Sequence, residues 1–257
     1  MQTMMEDNSI TNRAYQQIRA AVIGCRLPPG ERVNMTAVQA EFSLSQAAVR
    51  EALSRLSAEG LVEIERHRGF RIVDVSAEGF RDVTEACLVV EMPCLRSAIE
   101  HGNREWELHL ISAYYRAMRT LELFVDGKED LFGYSSEKLA FYEALFATCK
   151  NKWLLSSWRS LYTQLIRYRH MYLPLAKFEL ERQPDHYLNL RAVLDRDADK
   201  AVEMAIANNE RVITFMEDLL AGKPASTAPG KKVRSSECTN LPPKKPQRAR
   251  RPARAAS

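Results

Sequence analysis

Residues 44–73 constrain this chain more than any other stretch. From Gln46 to Glu59, Val49, Ala52, Leu53 and Leu56 recur at i, i+3, i+4 and i+7, the inward stripe of one helix, and Gly60 ends it. Leu61, Glu63 and Glu65 then alternate with Val62 and Ile64, and a second extended run, Phe70 to Val73, follows Arg66-His67-Arg68-Gly69. That pattern predicts a small hairpin. Upstream, Ala14, Ile18, Ala21 and Val22 keep helical spacing between Arg13 and Gly24, where Leu27-Pro28-Pro29-Gly30 forbids continuation. Met35 to Phe42 fits a further short helix, with Asn34 as its cap and Val38 and Phe42 facing inward; Ser45 caps the third.

Three short helices followed by a hairpin is the plan of a winged helix-turn-helix, whose third helix enters the major groove and offers its early residues to base edges. Gln46, Ala47 and Arg50 lie opposite the apolar stripe, with Ser45 at the helix start. Gln pairs with adenine through two hydrogen bonds, Arg with guanine or a phosphate, and Ala touches a thymine methyl. The hairpin tip adds Arg66, His67 and Arg68 around Gly69, a cationic turn suited to phosphates or the minor groove. Taken singly, these are ordinary surface residues. Their joint arrangement points to DNA.

The chain has 257 residues, 46% of them hydrophobic, enough for roughly two domains. From Glu78 to about Gly222 it reads as helical throughout, with breaks near Gly102-Asn103, Gly127, Asn151, Leu173-Pro174 and Gln183-Pro184, so the expected fold is mainly α: an N-terminal winged helix-turn-helix and a C-terminal all-helical bundle of about six helices. Pro93 should kink or split the first bundle helix. The expected boundaries are 9–76, 77–222 and, for a basic disordered tail, 223–257. From Gly230 onward nine Lys or Arg face one acid, a net charge of +8, whereas residues 1–76 are neutral. Overall charge therefore says nothing about the winged helix. No stretch reaches the ~18 apolar residues of a membrane span, and no signal peptide opens the chain, so a cytoplasmic protein without a membrane partner is expected. Cys25, Cys87, Cys94, Cys149 and Cys238 are scattered and read as free thiols.

The segments R-L-P-P-G-E-R-V and L-S-Q-A-A-V-R-E-A-L-S-R-L-S-A-E-G-L-V-E-I closely resemble the DNA-binding signature of the GntR-type bacterial regulators, in the branch whose effector domain is like that of the fatty-acid regulator. The resemblance implies DNA contacts at Arg32, Ser45, Gln46, Ala47 and Arg50 and at a wing around His67, Arg68 and Gly69. It also implies a homodimer on near-palindromic operator DNA. Gln46 stands where the family usually has Arg, and Ala48 where it often has Pro or Thr, so a different operator is expected.

Over residues 78–220 the helix pattern is similar to the family's effector domain, in which many members hold a divalent metal with an Asp and a His four residues apart plus two later His. The matching positions here are Lys138, Tyr142, His186 and Asn208. A lysine opposes a dication, so the expectation is no metal and no other cofactor. Lys138 would instead hold a small organic acid directly, with Tyr142, His186 and Asn208 donating hydrogen bonds; the alternative is that all four are packing and surface residues. Cys87 occupies the position of a family Arg that reaches the ligand, and Arg167 or Arg169 is the candidate substitute. Trp106, Trp153, Trp158, Tyr114 and Tyr115 are candidates for core or interface. Two competing functions are an enzyme built on the bundle, with His186 as base and Cys149 or Cys94 as nucleophile, and a nucleoid-type binder driven by the tail. Against the enzyme, the chain has no phosphate loop, nucleophile elbow or H-E-x-x-H, and no catalytic residues are expected.

Overall fold

The computed structural model describes residues 2–172 and 185–220, with side chains described over 11–171 and 190–219. Helices α1 (Gln2–Ile23), α2 (Met35–Phe42) and α3 (Gln46–Ala58) precede an antiparallel hairpin of β1 (Val62–Glu65) and β2 (Gly69–Ile72), in which Val62 pairs with Ile72 and Glu65 with Gly69. Helix α1 starts well before Arg13, because residues 2–12 contain neither proline nor glycine to stop it. Asn34 caps α2 by accepting from the Ala37 N–H at 3.1 Å, and Ser45 caps α3 by accepting from the Ala48 N–H at 3.2 Å.

The apolar stripes meet in one core. Ile18 and Val22 of α1 pack with Val38, Val49, Leu53, Leu56, Leu61, Phe70 and Ile72, all buried. Burying each large aliphatic side chain contributes about 1.5–3 kcal/mol before the cost of ordering it. The segment after Gly30 adds an edge to the hairpin: Arg32 bridges to Arg71, and the Val33 N–H donates to the Phe70 carbonyl at 2.8 Å. Ile64, near the wing tip, is exposed although Val62 on the same strand is buried.

Among the described residues six helices follow: α4 (Ala77–His101), α5 (Arg104–Val125), α6 (Leu131–Leu145), α7 (Lys152–Tyr172), α8 (Asp185–Leu194) and α9 (Ala198–Leu220). Helix α4 packs against α7 and α9, α5 against α6, and α8 against α9. Pro93 does not split α4, which runs unbroken past it. The carbonyl that loses its partner belongs to Val89, whose residue lies on the exposed side of the helix where water can take the bond. Trp106 and Trp158 are core, and the Trp106 indole donates to the Ala144 carbonyl at 2.9 Å, whereas Trp153 and Tyr115 are exposed. Cys87, Cys94 and Cys149 are buried free thiols, and Cys25 is a half-buried one. The expected breaks at Leu173-Pro174 and Gln183-Pro184 and the expected tail at 223–257 lie outside the described residues, as does the side chain of His186, whose backbone belongs to α8.

Candidate DNA interface and effector site

Helix α3 turns Gln46, Ala47 and Arg50 to the exterior, because Ala48, Val49, Ala52 and Leu53 are buried on its other face. Ala48, a departure from the resembled family, therefore packs inward with the core face of the helix. The Ser45 hydroxyl is committed to the Ala48 N–H, so this residue orients the helix start. At the wing, Arg66, His67, Arg68 and Gly69 are all exposed. His67 (φ 62°) and Gly69 (φ 87°) both adopt the left-handed conformation that turns the chain; glycine takes it freely, whereas for His67 it is strained.

Arg32 is exposed at the wing's stem, and its Nε donates to Glu65 Oε2 at 2.9 Å. Arg71 Nε donates to the other carboxylate oxygen at 2.6 Å, and its Nη1 to the Gly30 carbonyl at 2.5 Å. Glu65 thus clamps two arginines, and the bond from Arg71, followed by the charge of Arg32, holds its carboxyl below the usual range. The far end of α3 is also tied down. Arg55 stacks over Tyr15 at 3.9 Å, and Glu59 accepts from the Tyr15 hydroxyl and, at 3.0 Å, from Arg19 Nε.

Within the bundle, Tyr134, Lys138 and Tyr142 stand at i, i+4 and i+8 on α6 and so share a face. Opposite them α7 supplies Trp158, Tyr162 and Arg169, and α4 supplies Glu91. Tyr142 and Tyr162 lie with ring centroids 5.1 Å apart, Trp158 stacks on Tyr162 at the same separation, and Lys138 Nζ sits 5.6 Å from the Tyr134 ring. Arg169 donates to the Tyr162 hydroxyl at 2.8 Å. Lys138 (9% exposed) and Glu91 (8%) are buried charged residues within electrostatic reach of each other and of Arg169. Burial pushes the Glu91 carboxyl up to about 7, against the opposing pull of Arg169 and Lys138. Burial, reinforced by Arg169, pulls Lys138 well below its ordinary value. The buried Tyr134 hydroxyl and Trp158 indole N–H have no hydrogen-bond partner. A buried donor left unpaired costs about 1–3 kcal/mol, which a ligand's acceptor would recover.

The two candidate arginines separate cleanly. Arg169 faces this cluster, whereas Arg167 donates to the Val73 carbonyl at the exit of the wing and to Gln164 Oε1 at 3.0 Å. Burial, followed by the neighbouring Cys149, raises the Cys94 thiol, the opposite of what a nucleophile needs. Lys138 and Tyr142 are brought together. Asn208 is half-buried on α9, and its Oδ1 accepts from Arg211 at 3.2 Å.

The residues present do not fit a divalent metal. Among the described residues no three His, Cys, Asp or Glu converge, and a dication here would meet a lysine, Lys138, and the guanidinium of Arg169 against the one carboxyl of Glu91. Sequence reasoning missed Glu91, Tyr134 and Tyr162. The available signals were an acid interrupting the stripe Cys87, Cys94, Leu95, Ala98 and a tyrosine one turn before Lys138.

Comparison with known proteins covers both halves of the described structure. The FCD domain family matches residues 82–220, and the family of bacterial regulatory proteins, gntR family, matches residues 10–72. The chain is 28% identical to an uncharacterized HTH-type transcriptional regulator, BphR, of Paraburkholderia xenovorans (strain LB400), over 81% of this chain and 85% of that one. It is 26% identical to the HTH-type transcriptional repressor GlaR of Escherichia coli (strain K12), over 81% and 96%. Among solved structures, E. coli McbR/YncC aligns with a TM-score of 0.69 at 16% identity, covering 81% of this chain and 97% of that one. A putative transcriptional regulator GntR from Rhodococcus sp. RHA1 aligns at 0.57 and 22%, covering 83% and 97%. At these identities the solved structures show the fold. No helix among the described residues is long and apolar enough to cross a membrane.

Proposed function

This chain belongs to the GntR family of bacterial transcription regulators, with an FCD domain behind its winged helix-turn-helix, and from that premise we propose that it is a cytoplasmic repressor whose operator affinity is set by a small organic acid. It acts as a homodimer on near-palindromic DNA, since a two-fold dimer places two recognition helices about one turn of the duplex apart. The observation that carries the DNA half is the outward face of α3, where Gln46, Ala47 and Arg50 stand free beside an exposed cationic wing. Gln46 and Arg50 read bases, Arg32, His67, Arg68 and Gly69 meet the backbone, and Ser45 sets the helix start.

The acid is held by the buried Lys138, with Arg169 beside it and Tyr142 donating a hydrogen bond; His186 and Asn208 complete the site by family position. A charge-assisted bond from a desolvated lysine is worth about 1.5–3 kcal/mol, which fixes the expected loss in Lys138→Ala. The test is a gel-shift titration of operator against random DNA at fixed salt, repeated with a panel of small carboxylates. Operator preference relaxed by an acid in the wild-type protein, and not in Lys138→Ala, supports the reading. Equal affinity for operator and random DNA favours the nucleoid-type binder instead.

A further inference from the structure

We propose that Arg167 is a positioning residue for operator choice: by holding the winged helix to α7 it fixes the spacing of half-sites that the dimer accepts. The inference rests on the reading that two copies bind near-palindromic DNA, and it adds what sets the distance between their recognition helices.

Only Asp74, Val75 and Ser76 join the hairpin run ending at Val73 to α4, which begins at Ala77. Left free, three extended residues span about 10 Å. The duplex advances about 3.4 Å per base pair, so such a tether lets each recognition helix move by about three base pairs. A dimer on free tethers accepts many half-site spacings. A dimer on fixed ones accepts few.

Here both ends of the connection are held by adjacent residues of α7. Before it, Arg167 donates through Nη2 to the Val73 carbonyl and through Nη1 to Gln164 Oε1 at 3.0 Å, and Gln164 donates in turn to the Glu59 carbonyl at 3.1 Å. After it, the Tyr168 hydroxyl bonds the main chain of Ser76, and its ring lies 5.3 Å from that of Phe80 on α4. Gly79 leaves room for this approach, since a Cβ there would lie 2.6 Å from the Tyr168 hydroxyl oxygen. From a third side the Cys25 thiol, just beyond α1, donates to the Arg167 carbonyl at 3.6 Å.

Arg167 is 1% exposed and its Nε is without a hydrogen-bond partner. Burying a guanidinium that is only partly satisfied is a poor source of stability. What it supplies is geometry. Its planar fork fixes Val73 relative to Gln164, and through Gln164 relative to the end of the recognition helix α3.

The test is a binding-site selection from random-sequence duplexes with the full chain. Gel-shift titrations then compare the selected site with versions carrying one or two base pairs inserted at its centre. The wild-type protein should return inverted half-sites at one spacing and bind the lengthened sites at least tenfold more weakly. Arg167→Met should return the same half-site at several spacings, with that penalty at least threefold smaller. Arg167→Lys, which keeps a donor for the Val73 carbonyl, should recover part of it. Several spacings in the wild type, a single spacing retained in Arg167→Met, or a loss of affinity equal at every spacing overturns the proposal. The equal loss is what a merely stabilising residue gives. If Arg167→Met does not fold, as judged by circular dichroism, Gly79→Ala decides in its place, because its methyl drives Tyr168 from the connection; a spacing as strict as the wild type's then overturns the proposal. Isolated half-sites returned by the wild type remove the dimeric reading and this proposal with it. Paired half-sites whose spacing stays strict in the variants remove only the proposal.

Discussion

The side-chain amide of Gln164 donates to the main-chain carbonyl of Glu59 at 3.1 Å and reaches the Gly60 carbonyl at 3.4 Å, so the effector helix α7 caps the end of the recognition helix α3. The carbonyls at a helix's end lack partners within it, and here a neighbouring helix supplies one. One residue earlier, Thr163 accepts from Arg19 of α1 at 3.3 Å, and three residues later Arg167 holds the Val73 carbonyl. Tyr162 and Arg169 on the same helix belong to the proposed effector site. A ligand that shifted α7 would therefore pull on Arg19, on the end of α3 and on the exit of the wing.

Gln164→Ala should leave acid affinity unchanged while reducing the acid's effect on operator binding. Loss of one such hydrogen bond is worth about 0.5–1.5 kcal/mol, so the ratio of operator affinities with and without acid should shrink by about two- to twelvefold. Gel-shift titrations at saturating acid measure it. An undiminished ratio would mean that α7 does not carry the signal by this contact.

At the DNA face, Arg50→Ala should cost about 1–3 kcal/mol of operator binding with no change in thermal stability, because Arg50 is exposed and outside the core. Gln46→Arg should change the selected base and not merely weaken binding. A binding-site selection that returns one consensus for both proteins would contradict the assignment of Gln46.

Glu65 places a negative charge between two wing arginines while fixing where Arg32 points. In Glu65→Gln both effects are lost: random DNA should bind more tightly and Arg32 should be less well placed on the operator. The expected result is a smaller ratio of operator to random-DNA affinity and a steeper salt dependence, read from log affinity against log salt. A ratio equal to that of the wild type would show that the clamp has no part in recognition.

The pH dependence of stability should carry the signature of Glu91. Its carboxyl titrates at about 7 in the folded protein and near the ordinary 4.5 when unfolded. Between these values the unfolded chain binds fewer protons, so stability falls as pH rises. The contribution is full below about pH 4.5 and lost above about pH 7. A shift of this size corresponds to about 3 kcal/mol, so relative to Glu91→Gln the wild-type protein without acid should lose about that much across the window. Parallel profiles of unfolding free energy against pH would show that Glu91 is not desolvated as the fold requires.

What the sequence determined on its own is local. The stripe Val49, Ala52, Leu53, Leu56 orients α3 and so exposes Gln46 and Arg50, and Asn34, Ser45 and Gly60 mark helix ends, because periodicity and capping act within a turn or two of the chain. The Lys138 and Tyr142 pair came from the family resemblance, and standing one turn apart on α6 places both on one face. Arg167 and Arg169 show where that legibility stops. Two residues apart on a helix, they must point to nearly opposite sides, but which one meets the wing and which the effector site depends on what packs around α7. That helix touches α1, α4 and α6; its apolar stripe Leu155, Trp158, Tyr162, Leu165 runs on to Arg169, but nothing local to the chain says that Arg167, on the other side, meets the wing. Glu91 is the same case on α4: an acid on a buried stripe is a defect by local rules, and only the arrival of Lys138 and Arg169 from two other helices, distant in sequence, makes it part of a charged site.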